Sequence, residues 1–291
     1  MKELVVISGK GGTGKTSVVA SFAALAQNAV MADCDVDAAD LHLVLKPDVF
    51  SINDFSGGST AKILPEGCTG CGKCLDLCRF DAIKVNKGVY RVDPVACEGC
   101  GVCSHFCPEK AIEFGPAING QWFLSETRHG PMAHAKLGIA QENSGKLVTL
   151  VRAQAKKLAQ ERGHELIIID GSPGIGCPVI ASLTGADLVL AVTEPTMSGR
   201  HDLQRVIDLA KHFGVTLIVC INKWDLNEDI SGLIEQDAHQ QGVTVAGRIR
   251  YDRAVTEAQI SGLALVEYIS SGAAQDMKQL WGNIADLLRQ D

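Results

Sequence analysis

The chain has 291 residues, 46% of them apolar, and sets 27 lysines and arginines against 34 aspartates and glutamates, for a formal net charge of −7. That length holds one large domain, or a large domain with a small insert, around a substantial core. The acidic balance, with no block of five or more basic residues, argues against an electrostatic grip on nucleic acid or anionic lipid and favours small molecules and proteins as partners.

The opening segment Met1-Lys-Glu-Leu-Val-Val-Ile7 has neither the h-region nor the small-residue cleavage site of a signal peptide. Apolar runs such as Leu166-Ile-Ile-Ile169 fall far short of the roughly 20 residues that a spanning helix needs. A cytoplasmic chain without stable membrane insertion is expected, and in that compartment clustered cysteines bind metal rather than form disulfides.

In chain order, residues 4–7 read as a buried parallel strand, a glycine loop follows, and residues 17–27 read as a helix. Further buried strands are expected at 29–32, 166–169, 188–192 and 217–221, with helices at 146–160 and 202–212 among them. Such alternation predicts an α/β fold with a doubly wound, mostly parallel sheet. Between residues 62 and 116 the pattern breaks and an internal repeat appears. Cys68-x2-Cys71-x2-Cys74-x3-Cys78 recurs 29 residues later as Cys97-x2-Cys100-x2-Cys103-x3-Cys107. The expected organisation is therefore a sheet domain of residues 1–61 and 117–291 with an inserted small α+β domain at 62–116. About 55 residues are marginal for folding on apolar burial alone, so the insert needs a staple.

The glycine loop, Gly9-Lys-Gly-Gly-Thr-Gly-Lys-Thr-Ser17, satisfies the full Walker A phosphate-loop pattern, with a strand before it and a helix after. Gly11, Gly12 and Gly14 let backbone N–H groups turn inward on phosphates, and Gly9, Lys10, Thr13 and Ser17 complete the nucleotide-binding loop. Lys15 neutralises the terminal phosphates, and Thr16, next to Ser17, ligates Mg2+. Leu166-Ile-Ile-Ile-Asp170-Gly-Ser-Pro173-Gly174 reads as a Walker B strand and a sensing loop: Asp170 holds Mg2+, and the Pro173-Gly174 backbone senses the terminal phosphate. Asn222-Lys-Trp-Asp225 follows a strand, where such a fold reads the base. Asp225 also matches the guanine-reading pattern, which leaves GTP beside ATP.

These motifs, with the second lysine at position 10, resemble the deviant Walker A ATPases of the MinD/ParA type. The resemblance implies that Lys10 crosses a dimer interface to a partner's phosphates, as an arginine finger does elsewhere. It implies that Asp35, in Met31-Ala-Asp33-Cys-Asp35-Val-Asp37, orients the attacking water, that Asp33 lies near Mg2+, and that Asn222 serves adenine. Arg250-Tyr-Asp252-Arg-Ala-Val255 resembles the family's late adenine-side loop, with Arg250 where proline is common.

The two cysteine runs, the second closed by Pro108, match the bacterial ferredoxin pattern for a pair of [4Fe-4S] clusters, a spacing zinc sites rarely need. In that pattern the fourth cysteine of each run ligates the other cluster. Cys68, Cys71, Cys74 and Cys107 then hold one cluster, and Cys78, Cys97, Cys100 and Cys103 the other. Of the remaining cysteines, Cys220 reads as core, while Cys34 and Cys177 flank nucleotide-sensing loops. His129 and His134 read as surface or hinge groups. Met277, Leu280, Trp281, Ile284 and Leu288 share a helical face that reads as docked on the sheet, because Asp276, Asp286 and Asp291 offset the basic charge a membrane-surface helix needs.

The expected cofactors are ATP, Mg2+ and two [4Fe-4S] clusters. The expected function is ATP hydrolysis in a homodimer, or a heterodimer with a related chain, coupled to electron transfer or to delivery of clusters to an acceptor protein. The alternative is a nucleotide- and redox-dependent switch that binds a protein partner.

Overall fold

The computed structural model describes residues 1–138 and 144–290, so Asp291 lies outside the described residues. Its first half contains β1 (Lys2–Ser8), α1 (Lys15–Leu25), β2 (Ala29–Asp33), α2 (Leu41–Leu45), β3 (Asp48–Ile63), α3 (Lys73–Leu77), β4 (Ile83–Asn86), β5 (Val89–Val92), α4 (Val102–His105), β6 (Ile112–Thr127) and β7 (Gly130–Leu137). There follow α5 (Ser144–Arg162), β8 (Leu166–Pro173), α6 (Cys177–Leu183), β9 (Leu188–Thr193), α7 (Met197–His212), β10 (Leu217–Asn222), α8 (Glu228–Gln240), β11 (Thr244–Ile249), α9 (Ala254–Ser261), α10 (Leu265–Tyr268) and α11 (Ala273–Gln290).

Nine strands form one sheet in the order β11-β10-β9-β1-β8-β2-β7-β6-β3. Each pairing from β11 across to β7 is parallel. The central strands are apolar on both faces: Leu4 to Ile7, Ile167 to Ile169 and Val189 to Leu190 are fully buried, as helices packed on both sides require. The order sets β1, β8 and β2 side by side, so the loops at their ends converge. The chain is thus α/β with a large, mostly parallel sheet.

Among the described residues two compact units are present: residues 1–52, 122–136 and 144–290, and residues 53–121 with 137–138. In the first, α11 lays Met277, Leu280 and Ile284 into the core, with Trp281 and Leu288 packed against it. Trp281 meets Phe22 of α1 at 5.0 Å between ring centroids. No helix among the described residues is long and apolar enough to cross a membrane.

The second unit is built as a repeat. Gly70 and Gly99, Gly72 and Gly101, and Asp81 and Lys110 are three pairs 29 residues apart, and all six residues have left-handed backbones. Gly72 and Gly101 each start a short helix, α3 and α4, one residue past a cysteine-bearing turn. The unit's core cluster is small: Ala61, Ile63, Ile83 and Ile112, with six of the eight clustered cysteines packed against it.

The β6–β7 turn is fastened to the helices of the first unit by one arginine. Arg128 donates to Glu267 Oε1 at 2.8 Å and Oε2 at 2.5 Å, and to the carbonyls of Val44 and Leu45 that end α2. His129 adds a 3.0 Å contact to the same carboxylate. Burial alone would raise the Glu267 pKa, but the Arg128 hydrogen bonds, the Ala264 N–H and the two nearby cations outweigh it and hold the group at about 2, against an ordinary 4.5. A depressed carboxylate contributes stability above its unfolded pKa and loses it as pH falls toward the folded one. Glu267→Gln is therefore expected to lower the unfolding temperature at pH 7, and the gap from wild type is expected to shrink between pH 4.5 and 2. Differential scanning calorimetry across that range checks this.

Candidate functional site

β1 delivers the glycine loop to the C-terminal edge of the sheet, where α1 begins. Gly14 has φ 92°, and a Cβ there would strike the Asn222 amide, so only glycine fits this turn. Asn222 Nδ2 donates to Thr13 O at 2.7 Å, and Lys223 Nζ donates to Gly12 O at 3.2 Å. The end of β10 therefore braces the loop directly.

Lys15 is the centre of the site. Its ammonium lies 2.5 Å from Asp170 Oδ1 on β8 and 3.2 Å from Asp35 Oδ2 just after β2. Asp33 and Asp170 are direct partners across β2 and β8. Asp33 is fully buried and accepts from the N–H groups of Asp35 at 3.2 Å and Leu41 at 3.3 Å. Burial raises the pKa of Asp33, and so does the carboxylate of Asp170; Lys15 and the Asp35 N–H oppose the rise. Burial raises Asp35 too, with Lys15 pulling the other way. Burial opposes the charge on Lys15, but Asp170, Asp35 and Asp33 overcome it and keep the ammonium protonated. Two carboxylates thus hold one cation with a third buried beside them, and the second oxygen of Asp170 is buried with no hydrogen-bond partner. Among the described residues no three His, Cys, Asp or Glu side chains converge on a single metal-holding point, and Lys15 bridges Asp170 and Asp35.

Beside this cluster opens a cavity of about 610 Å³, lined by residues 11–17, Asp35, Pro173, Asn222, Lys223 and residues 250–252. Gly9, Lys10, Asp33, Asp170, Gly174 and Asp225 do not line it. Gly9 packs on α7, where a Cβ would meet the Asp202 backbone at 2.8 Å. Asp225 turns to the 250–252 loop and accepts from the Tyr251 N–H at 2.7 Å. Lys10 folds back inside its own subunit onto Glu194, at 2.7 Å. Several wall residues carry no sequence motif: Leu43 and Val44 of α2, and Thr256 and Gln259 of α9. Gln259 reaches Ser17 Oγ at 3.0 Å, a link across 242 residues with no local signal.

The other singled-out residues take quieter places. Cys220 is core, and burial pushes its thiol up. Cys34 is fully buried, its carbonyl accepting from Ser172, whereas Cys177 is exposed. His134 is a satisfied, nearly buried histidine, 2.7 Å from Ser125 Oγ and stacked on Phe123, with its pKa lowered to about 4 by burial and then by His42.

In the second unit, two cavities are ringed by sulfur. One is lined by Cys68, Cys71, Cys74 and Cys107, the other by Cys78, Cys97, Cys100 and Cys103. Each encloses about 20 Å³ of interior space. Each takes three cysteines from one run and the last cysteine of the other. All eleven cysteines of the chain are free.

Residues 4–266 match the family model of the CobQ/CobB/MinD/ParA nucleotide binding domain. The chain is 36% identical to the uncharacterized protein MJ0578 of Methanocaldococcus jannaschii over 240 residues, covering 77% of this chain and 79% of that one. Its fold is similar to the septum site-determining protein MinD of Pyrococcus horikoshii solved with Mg-ADP, at TM-score 0.60 and 18% identity over 98% of this chain and 96% of that one. MinD of Aquifex aeolicus, solved as a MinC:MinD complex, matches at TM-score 0.59 and 16% identity, with the same coverage of each chain.

Removing Lys15 would leave the buried carboxylates without their cation, a loss of roughly 3–5 kcal/mol for breaking a buried pair. Lys15→Met is expected to unfold at lower temperature than wild type, and most of all at high pH. Lowering the pH protonates carboxylates whose folded pKa values are already raised, so the deficit narrows; urea titrations at pH 8 and 6 check the direction.

Proposed function

The chain belongs to the CobQ/CobB/MinD/ParA nucleotide binding domain family, and from that premise we propose that it is an ATP-hydrolysing iron-sulfur protein. In this reading nucleotide-driven dimer switching in the 1–61 and 117–291 domain is coupled to electron transfer, or to cluster delivery, by a ferredoxin-like domain at 62–116. The work is done in the cytoplasm.

The observation that carries the iron-sulfur half is the crossed sharing of cysteines between the two sulfur-ringed cavities. Spacing in sequence cannot produce that division; folding brings each run's fourth cysteine to the opposite cavity. Four thiols drawn from two crossed runs around each cavity suit a multi-iron cluster better than a single zinc ion. When bound, each cluster supplies a one-electron redox centre. The chain's own part is to present thiolates from glycine turns and to shield them with Ile63, Ile83, Ile112, Tyr90 and Val92.

For the nucleotide, Gly9 to Ser17 wrap the phosphates, and Lys15 transfers from the carboxylates to the terminal phosphate. Mg2+ would be held by Thr16, Asp33 and Asp170, where the unpartnered Asp170 oxygen and the excess of carboxylate over ammonium suit a divalent cation, and it would neutralise phosphate charge. Asp35, freed of Lys15, orients the attacking water. Pro173 and Gly174 respond to the terminal phosphate, and Lys10 serves the nucleotide of a second subunit. ATP is favoured over GTP because Asp225, the residue a guanine reader needs, faces the Tyr251 N–H and not the cavity. Asn222 lies on the cavity wall as the base-side residue.

Two results follow. Cys107→Ser and Cys78→Ser are each expected to lower the iron content of anaerobically prepared protein from about eight to about four per chain. The two variants should lose different EPR signals; zinc in the wild type, or iron unchanged in either variant, would contradict the reading of these cysteines as cluster ligands. In competition binding, Asp225→Asn is expected to leave ATP preferred over GTP, and a reversal would mean that Asp225 reads the base.

A further inference from the structure

The ammonium of Lys10 has three protons to donate and three acceptors receive them: Glu194 Oε1 at 2.7 Å, Ser198 Oγ at 2.9 Å and Thr196 Oγ1 at 3.3 Å. No donor is left over for a phosphate. Its position is also electrostatically odd. Thr196 is the N-cap of the sixteen-residue helix α7, its side chain accepting from the Gly199 N–H at 2.9 Å. A helix N-terminus carries partial positive charge and disfavours a cation. The carboxylate of Glu194 compensates for this, and it is shared: its other oxygen lies 3.1 Å from Lys223 Nζ. Burial would raise the Glu194 pKa, but hydrogen bonds from Lys10 and Lys223 lower it. The side chains of Lys10 and Glu194 are 29% and 17% exposed, so the pair can be reached from solvent.

Building on the reading of Lys10 as the group that serves a second subunit, we infer that Glu194 is a positioning residue that holds Lys10 inside its own subunit until a partner's nucleotide phosphates replace it. Dividing one carboxylate between two cations makes the hold exchangeable. A triphosphate brings more charge than one shared carboxylate and lies away from the α7 terminus. Without the carboxylate, Lys10 loses its strongest partner and stays beside a helix end that repels it. The engaged state of Lys10 then becomes the easier one to reach.

The test is the dimerisation constant of the full chain by sedimentation velocity, with saturating Mg2+ and a non-hydrolysable ATP analogue. Glu194→Gln is expected to tighten the dimer by roughly three- to tenfold, the scale of one partly exposed ion pair and its hydrogen bonds. Ser198→Ala, an exchange at the start of α7 that removes a single hydroxyl, is expected to tighten it less and in the same direction. Neither change is expected to have an effect in a Lys10→Ala background. If wild type dimerises and Glu194→Gln does so equally or more weakly, the hold is overturned while the intersubunit role of Lys10 stands. If neither dimerises at any concentration reached, that role falls and the inference falls with it.

Discussion

The placement of one ammonium among three carboxylates governs the nucleotide half of this protein. Asp170 and Asp35 reach Lys15, with Asp33 buried beside them, because β8 pairs with β1 on one side and in register with β2 on the other. That strand order in turn needs strands apolar on both faces, able to sit in the middle of a parallel sheet. The cluster is satisfied in charge by a third. The buried carboxylates and the unpartnered Asp170 oxygen leave a demand for positive charge beyond the one ammonium, which suits a divalent cation. Lys15 holds Asp35 and Asp170 at once, so a change at that one ammonium reaches the ends of both strands.

The second unit solves a different problem with the same economy of parts. Its four-residue aliphatic core is too small to hold some seventy residues, and the cysteines complete it by packing around it. The 29-residue repeat gives two near-copies of one turn: a left-handed glycine, a cysteine-bearing helix, and a left-handed residue past the fourth cysteine. Because the copies exchange their last cysteines, neither cavity is complete without the other run.

Much of this was legible in the sequence because it is local. The glycine loop, the Walker B strand and the cysteine runs each carry their meaning within a dozen residues. Strand runs such as Leu166-Ile-Ile-Ile169 need no partner to be recognised, though β8 continues through Pro173. The sixteen-residue strands β3 and β6 were not legible: much of each is exposed, and Ser-Gly-Gly-Ser in β3 reads as a turn. The walls of the nucleotide cavity from α2 and α9, and the anchoring of Asp225 on Tyr251, depend on long-range packing that no motif reports. The same holds for Glu194, which lies 184 residues from Lys10 and is joined to it by folding alone.

The central claim is that nucleotide state and cluster redox state are coupled through dimerisation. The direct measurement is an anaerobic EPR redox titration of the reconstituted protein with and without Mg-ATP, with Lys10→Ala as control. The account predicts that Mg-ATP shifts the cluster potentials or line shapes in wild type and leaves the variant unmoved. Reduced clusters that ignore nucleotide in both proteins would contradict it and leave the cysteine domain as a sensor or docking module.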